Sequence, residues 1–220
     1  MTEFGRSLPR SVYDEGCIAA HALDMLGDRW AILVIRELML GAKRFQMIRA
    51  GLPGISASVL TQRLEGLMAG GILRRTVLPD PAGVQLYELT ELGRGTRPVI
   101  DALCRFGARL PGHDPTKFIS PTALMLSMAA MVDRKAGKEM SFRAGFDIGR
   151  ETFRGALVKG RWVPERGAPE GDAIFAGTAN ALAPVIYGAR KVADWAGSGA
   201  VTITGDLSGA QRFVDLFRLT

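Results

Sequence analysis

Apolar side chains recur at helical spacing along the first half of this chain, and past residue 140 they alternate with polar ones instead, so a helical half precedes a mixed one. Cys17 to Leu26 and Asp28 to Leu40 predict two helices broken at Gly27, the second capped by Asp28. Trp30, Ala31, Leu33, Val34, Ile35, Leu38 and Met39 leave that second helix almost no polar face, which makes it a central core element. A short helix follows over Arg44 to Arg49, with Phe45 and Ile48 three apart, and Gly51-Leu-Pro-Gly54 ends it. Ser56 then reads as an N-cap, with Ile55 and Leu60 at the positions of a hydrophobic staple. Leu60, Leu64, Leu67 and Met68 form the buried stripe of that helix. Ala57, Ser58, Thr61, Gln62 and Glu65 occupy the opposite face, with Arg63 at its edge. Two strands, Ile72 to Leu78 and Val84 to Leu89, meet at the turn Asp80-Pro-Ala-Gly83. Arg74 and Arg75 point to opposite faces of the first strand, so at most one is expected to face outward while the other packs or pairs. Thr90 can cap a last helix running to about Leu110, whose stripe of Val99, Ile100, Leu103 and Phe106 finds no partner within this half; a dimer seam is its expected use.

Pro111-Gly-His-Asp-Pro115 marks a linker, which divides the chain into units at 12–112 and 120–220. Ser120-Pro121 restarts a helix with a cap and a proline at its first position, and Met125, Met128, Ala129 and Val132 give it an apolar face. Phe142, Ala144, Phe146 and Ile148 alternate with Ser141, Arg143, Gly145 and Asp147 as a half-buried strand does. Further strands are expected at about Glu151 to Val158, Asp172 to Ala176 and Val201 to Thr204, with helices at about Thr178 to Ile186 and Ser208 to Phe217. This is an α+β layer, one sheet covered on one face by helices.

Charge sharpens the picture only locally. The net charge is +6, yet the part up to Pro115 carries 14 basic and 12 acidic residues and the remainder 14 and 10. The excess is therefore not concentrated in the first unit, and the preference for Arg over Lys (22 against 6) does not discriminate between functions. Within residues 36 to 97, however, Arg36, Lys43, Arg44, Arg49, Arg63, Arg74, Arg75, Arg94 and Arg97 face only Glu37, Glu65, Asp80, Glu88 and Glu91. A capped helix with small hydrogen-bonding residues near its N-terminus, followed by a basic hairpin, suits the major groove of DNA. An ordinary solvated helix face is the alternative.

Chemistry for catalysis is scarce. His21 and His113 are the two histidines, and no HExxH, Walker, GxGxxG or GxSxG motif occurs, so neither an enzyme nor a cofactor or metal is expected. No apolar run is long enough to span a bilayer, the N-terminus lacks a signal-peptide core, and two cysteines make no disulfide framework, which together predict a cytoplasmic protein. Cys17 and His21 lie four apart on a predicted helix; redox sensing at Cys17 stands beside the plainer reading of a buried, inert cysteine. Cys104 reads as a core residue.

Cys17, Gly27-Asp-Arg-Trp30, Arg44-Phe45, Gly54-Ile-Ser-Ala-Ser-Val-Leu-Thr-Gln-Arg-Leu64, Gly71-Ile-Leu-Arg-Arg75 and Tyr87-Glu-Leu-Thr-Glu-Leu-Gly93 follow one another in an order that resembles the HxlR family of bacterial winged-helix transcriptional regulators. The chain departs from that pattern at Ile18, where the family usually has proline, and at Arg29, where lysine is common. The resemblance implies a mostly α winged helix-turn-helix N-terminal domain that binds double-stranded DNA as a homodimer, one recognition helix per subunit in the major groove of a palindromic operator. Ser56, Ser58, Thr61, Gln62 and Arg63 are then the candidates to read bases or fix the helix on phosphates. Lys43, Arg44, Arg74 and Arg75 are the candidates for charge against the backbone. The second unit resembles the sterol carrier protein domain through Gly177, Thr178 to Gly188, Val201-Thr-Ile-Thr-Gly-Asp206 and Ala210 to Phe217. That likeness implies an apolar tunnel between sheet and helices, with Met128, Phe146, Phe153, Trp162, Phe175, Trp195 and Phe213 as lining candidates; a closed core built from the same side chains is the alternative. A small apolar effector held there would control a repressor or dual regulator. In the competing class, the protein is a hydrophobic-ligand or lipid carrier whose first unit serves protein association.

Overall fold

The structure is a computed structural model that describes residues 13–77, 83–196 and 199–219. Six of its elements form the helix-turn-helix framework: α1 (Ile18–Leu26), α2 (Ala31–Leu38), α3 (Phe45–Ala50), α4 (Ala57–Ala69) and the antiparallel wing of β1 (Leu73–Val77) and β2 (Gln85–Leu89). The expected wing turn lies, apart from Gly83, outside the described residues. α2 begins three residues later than its pattern suggests, because Asp28 accepts from the Trp30 N–H at 3.1 Å and so shapes the turn ahead of the helix instead of capping it. Val34, Ile35 and Leu38 of α2 pack with Ile48, Leu52, Leu60, Leu64, Leu67, Leu73 and Leu89 into the first core.

The helix expected from Thr90 to Leu110 is two: α5 (Glu91–Arg94), whose Gly93 N–H bonds the Thr90 hydroxyl, and α6 (Arg97–Ala108), with Pro98 in its first turn. Part of the α6 stripe does find a partner in this half. Ile100 is buried in the first core and Cys104 packs against it, while Val99, Leu103 and Phe106 stay exposed.

The second half is an α+β layer. α7 (Pro121–Met131) leads to β3 (Phe142–Ile148), β4 (Glu151–Val158), β5 (Arg161–Arg166), β6 (Ala173–Gly177), α8 (Ala179–Tyr187), α9 (Val192–Ala196), β7 (Val201–Gly205) and α10 (Leu207–Val214). The sheet order is β5-β4-β3-β6-β7, antiparallel throughout except between β3 and β6. The inward residues of β3, Phe142, Ala144, Phe146 and Ile148, meet α7, α8 and α10 in the second core. Strand β5 escaped the sequence reading although its signal is present: Lys159 and Gly160, with φ of 49° and 72°, form the two-residue turn that folds β5 back on β4. α7 has no polar face because both cores use it. Leu126 inserts into the first core, and Leu124, Met125, Met128 and Ala129 into the second.

Candidate nucleic-acid interface

Ser56 ends the turn after α3 in extended backbone, and its Oγ accepts from the Val59 N–H at 3.2 Å, which fixes the first turn of α4. The Ser58 Oγ lies 3.0 Å from the Ser56 Oγ. Ser56, Ser58, Thr61 and Gln62 are all exposed, and Leu60, Leu64 and Leu67 hold the opposite side of the helix in the first core. An exposed row of short hydrogen-bonding side chains on a helix anchored from behind is the arrangement that base-edge contact requires. Arg44 is exposed at the start of α3, and Arg49 is exposed near its end.

Two expected contacts are placed elsewhere. Arg63 turns back to Asp28 at 2.8 Å and is largely buried, so it clamps α4 to the approach to α2, and its Nε is buried without a partner instead of facing outward with the row of Ser58, Thr61 and Gln62. Lys43 is fully buried. Its Nζ donates to Glu37 Oε2 at 2.8 Å, to the Thr122 hydroxyl at 3.0 Å and to Glu151 Oε1 at 3.2 Å. A lysine can be buried only where carboxylates compensate the lost hydration, and two of them are here. Desolvation still pushes its pKa below the ordinary lysine value, against the pull of Glu37. Glu37, which no motif singled out, is the hub: Oε1 accepts from Arg36 Nη2 at 2.9 Å and from the Ser120 hydroxyl at 2.5 Å. Its signal in the sequence was an acidic residue that, with Arg36 beside it, interrupts an apolar helix.

On the wing, Arg74 and Arg75 are both exposed, and the expectation that one of them packs or pairs is met by pairing alone. A two-stranded ribbon here has neither face covered at these positions, so alternation does not bury either side chain. Arg74 Nε pairs with Glu88 Oε1, its neighbour across the strands, at 2.7 Å, and Arg75 makes no ion pair among the described residues. Arg75 is therefore the wing cation with charge to spare.

Cys17 precedes α1 and is exposed, which corrects the reading of a buried thiol. His21 is exposed as well, and no group of three metal-ligating side chains occurs among the described residues. Burial, with Asp101 nearby, pushes the Cys104 thiol up.

Six of the candidate tunnel-lining residues, Met128, Phe146, Phe153, Trp162, Phe175 and Phe213, lie together and buried in the second core. The Phe146 and Phe175 rings stack at 5.1 Å, and the Trp162 ring meets Phe213 edge-on at 5.0 Å. Aromatic rings at these spacings pack against one another as they do in a closed core. Trp195 lies at the edge of this core under the Arg190 guanidinium, 4.5 Å from its ring centroid.

Comparison with known proteins decides the class of the first half. The HxlR-like helix-turn-helix family matches residues 25–114. An HTH-type transcriptional regulator of Synechocystis sp., sll1512, is 41% identical over 93 residues, which are 42% of this chain and 68% of the relative. The Bacillus subtilis regulator YvaP is 33% identical over 104 residues, 47% of this chain and 88% of that one. The chain belongs to the HxlR-like helix-turn-helix family. The reduced form of the Bacillus subtilis regulator YodB is similar at 33% identity and a TM-score of 0.40, covering 46% of this chain and all of that one. These HxlR-like relatives are transcriptional regulators, not enzymes. The family match ends at residue 114, ahead of α7, so it does not extend to the α+β half. Among the described residues no helix is long and apolar enough to cross a membrane.

Proposed function

We propose that this chain is a dimeric transcriptional repressor whose α4 enters the major groove of a palindromic operator while the wing strands lie on the adjoining phosphates. The observation that carries this reading is the exposed face of Ser56, Ser58, Thr61 and Gln62 on a capped helix, flanked by exposed Arg44 and Arg75. In this reading residues 12–112 form the DNA-binding unit and 120–220 an appended unit. The exposed Val99, Leu103 and Phe106 of α6 form the seam between subunits, which sets the spacing of the two half-sites.

A mobility-shift titration against DNA upstream of the protein's own gene, with excess nonspecific competitor, tests it. A discrete competitor-resistant shift is expected, and smearing that vanishes with salt would defeat the reading. Arg75→Ala should weaken binding at every sequence and lower the salt slope by about one. Gln62→Ala should change the preferred sequence; uniform weakening by both variants would remove α4 from the groove.

A further inference from the structure

We propose that the cleft between the helix-turn-helix turn and the entry to α7 binds a small aromatic carboxylate, with the carboxylate on Arg36 and the ring among Trp30, Leu33, Leu52, Pro53 and Phe118. The cleft, of about 280 Å³, is built from both halves of the chain. It is lined by Trp30 just ahead of α2, by Leu33 and Arg36 on α2, by the turn that leads to α4 and by the segment entering α7. That volume suits a ligand of one or two rings.

Charge selects the kind of ligand. Arg36, Lys43 and Arg166 share the two carboxylates of Glu37 and Glu151, which leaves one formal positive charge over. Arg166 is bonded to Glu151 and lies 5.6 Å from the Phe153 ring centroid, outside the cleft. Arg36 is the cation that lines the cleft. Its Nε and Nη2 are spent on Glu37 Oε1, and Nη2 also reaches the Gly51 carbonyl at 3.4 Å; Nη1 donates to nothing among the described residues. Glu37 in turn divides its charge among Arg36, Lys43 and Ser120, so it compensates Arg36 only in part. A monoanion at Nη1 would complete the balance, and a charge-assisted hydrogen bond there is stronger than one between neutral groups. The rings of Trp30 and Phe118, with Pro53 and the leucines, favour a flat apolar body.

Isothermal titration of the full chain with 1-naphthoate, and with uncharged 1-naphthamide as its control, tests the site without DNA, so its result stands apart from the operator titration. Saturable 1:1 binding of the naphthoate is expected, about tenfold or more tighter than the amide. Arg36→Gln should lose a comparable factor. Because that variant also disturbs Glu37, Ala123→Leu supplies a second arm: it fills the cleft from α7 and leaves every charge in place, and it should lose binding while keeping the wild-type melting temperature. Equal binding of amide and naphthoate, unchanged binding by Ala123→Leu, or no binding at millimolar concentration would each overturn the proposal.

Discussion

Single residues divide by how far away their partners lie. The caps at Ser56, Thr90 and Ser120 were legible because each bonds an N–H three positions on, and the structure has all three. Lys43 was misread because its partners are Glu37, on the preceding helix, and Thr122 and Glu151, which lie 79 and 108 positions away. Gly51 belongs to the same cluster: a Cβ there would stand 2.3 Å from Glu37 Oε2, so the residue is glycine for space and not for its backbone angle. Lys43→Met should cost about 3–5 kcal/mol of stability, since it strands Glu37 and Glu151 as partly compensated buried charges. The pH dependence has a definite sign. The folded-state pKa of Lys43 lies below 10.5, so as pH rises from the folded value towards 10.5 the unfolded chain holds a proton that the folded one has shed, and folding gains. The stability difference between wild type and Lys43→Met should therefore widen with pH in that alkaline window, as read from urea midpoints. A flat difference would mean that burial does not depress this lysine.

At the scale of elements, periodicity found α4 and β3 because each has one face against a core and the other in water, whereas α2 was legible from its nearly unbroken apolar run and the wing strands from their alternation about a turn. Periodicity could not decide what an apolar face packs on. The aromatic positions of the second half were equally consistent with a tunnel wall and a packed interior, and periodicity says nothing of the ring-to-ring contacts that the structure adds. α6 shows the converse: its stripe splits between Ile100, which the first core takes, and Val99, Leu103 and Phe106, which remain exposed. Three large apolar side chains at spacings of four and three on one helix favour a second copy of the same helix across a two-fold axis. Phe106→Glu should then shift the protein from dimer to monomer in sedimentation while its thermal midpoint at high dilution stays near that of wild type, because Phe106 is 61% exposed in the single chain. A dimer that survives Phe106→Glu would place the seam elsewhere.

Across the whole molecule, the linker Pro111–Pro115 divides the sequence into two units, and the packing joins them. Helix α7 feeds Leu126 into the first core and Leu124, Met125, Met128 and Ala129 into the second, so neither core closes without it. The cluster around Glu37 and Lys43 adds Ser120, Thr122 and Glu151 from beyond the linker, and breaking it would expose buried charge on both sides. Lys43 also reaches the wing, since its backbone N–H and carbonyl pair with Tyr87 on β2 at 3.0 and 2.9 Å. One residue thus joins the wing, through its main chain, to β4, through its side chain. Two halves that share a helix and a buried ion cluster should unfold together, whereas domains joined by a polar interface open independently. Trp30 reports on the first half and Trp162 on the second. With the other tryptophans replaced by phenylalanine, Trp30 fluorescence in one variant and Trp162 fluorescence in the other should each lose the native signal at the same midpoint as that variant's far-ultraviolet circular dichroism. A Trp30 transition displaced from the circular-dichroism midpoint would show that the helix-turn-helix half melts alone. Ser120, Thr122 and Glu151 would then be contacts that form without coupling the two cores.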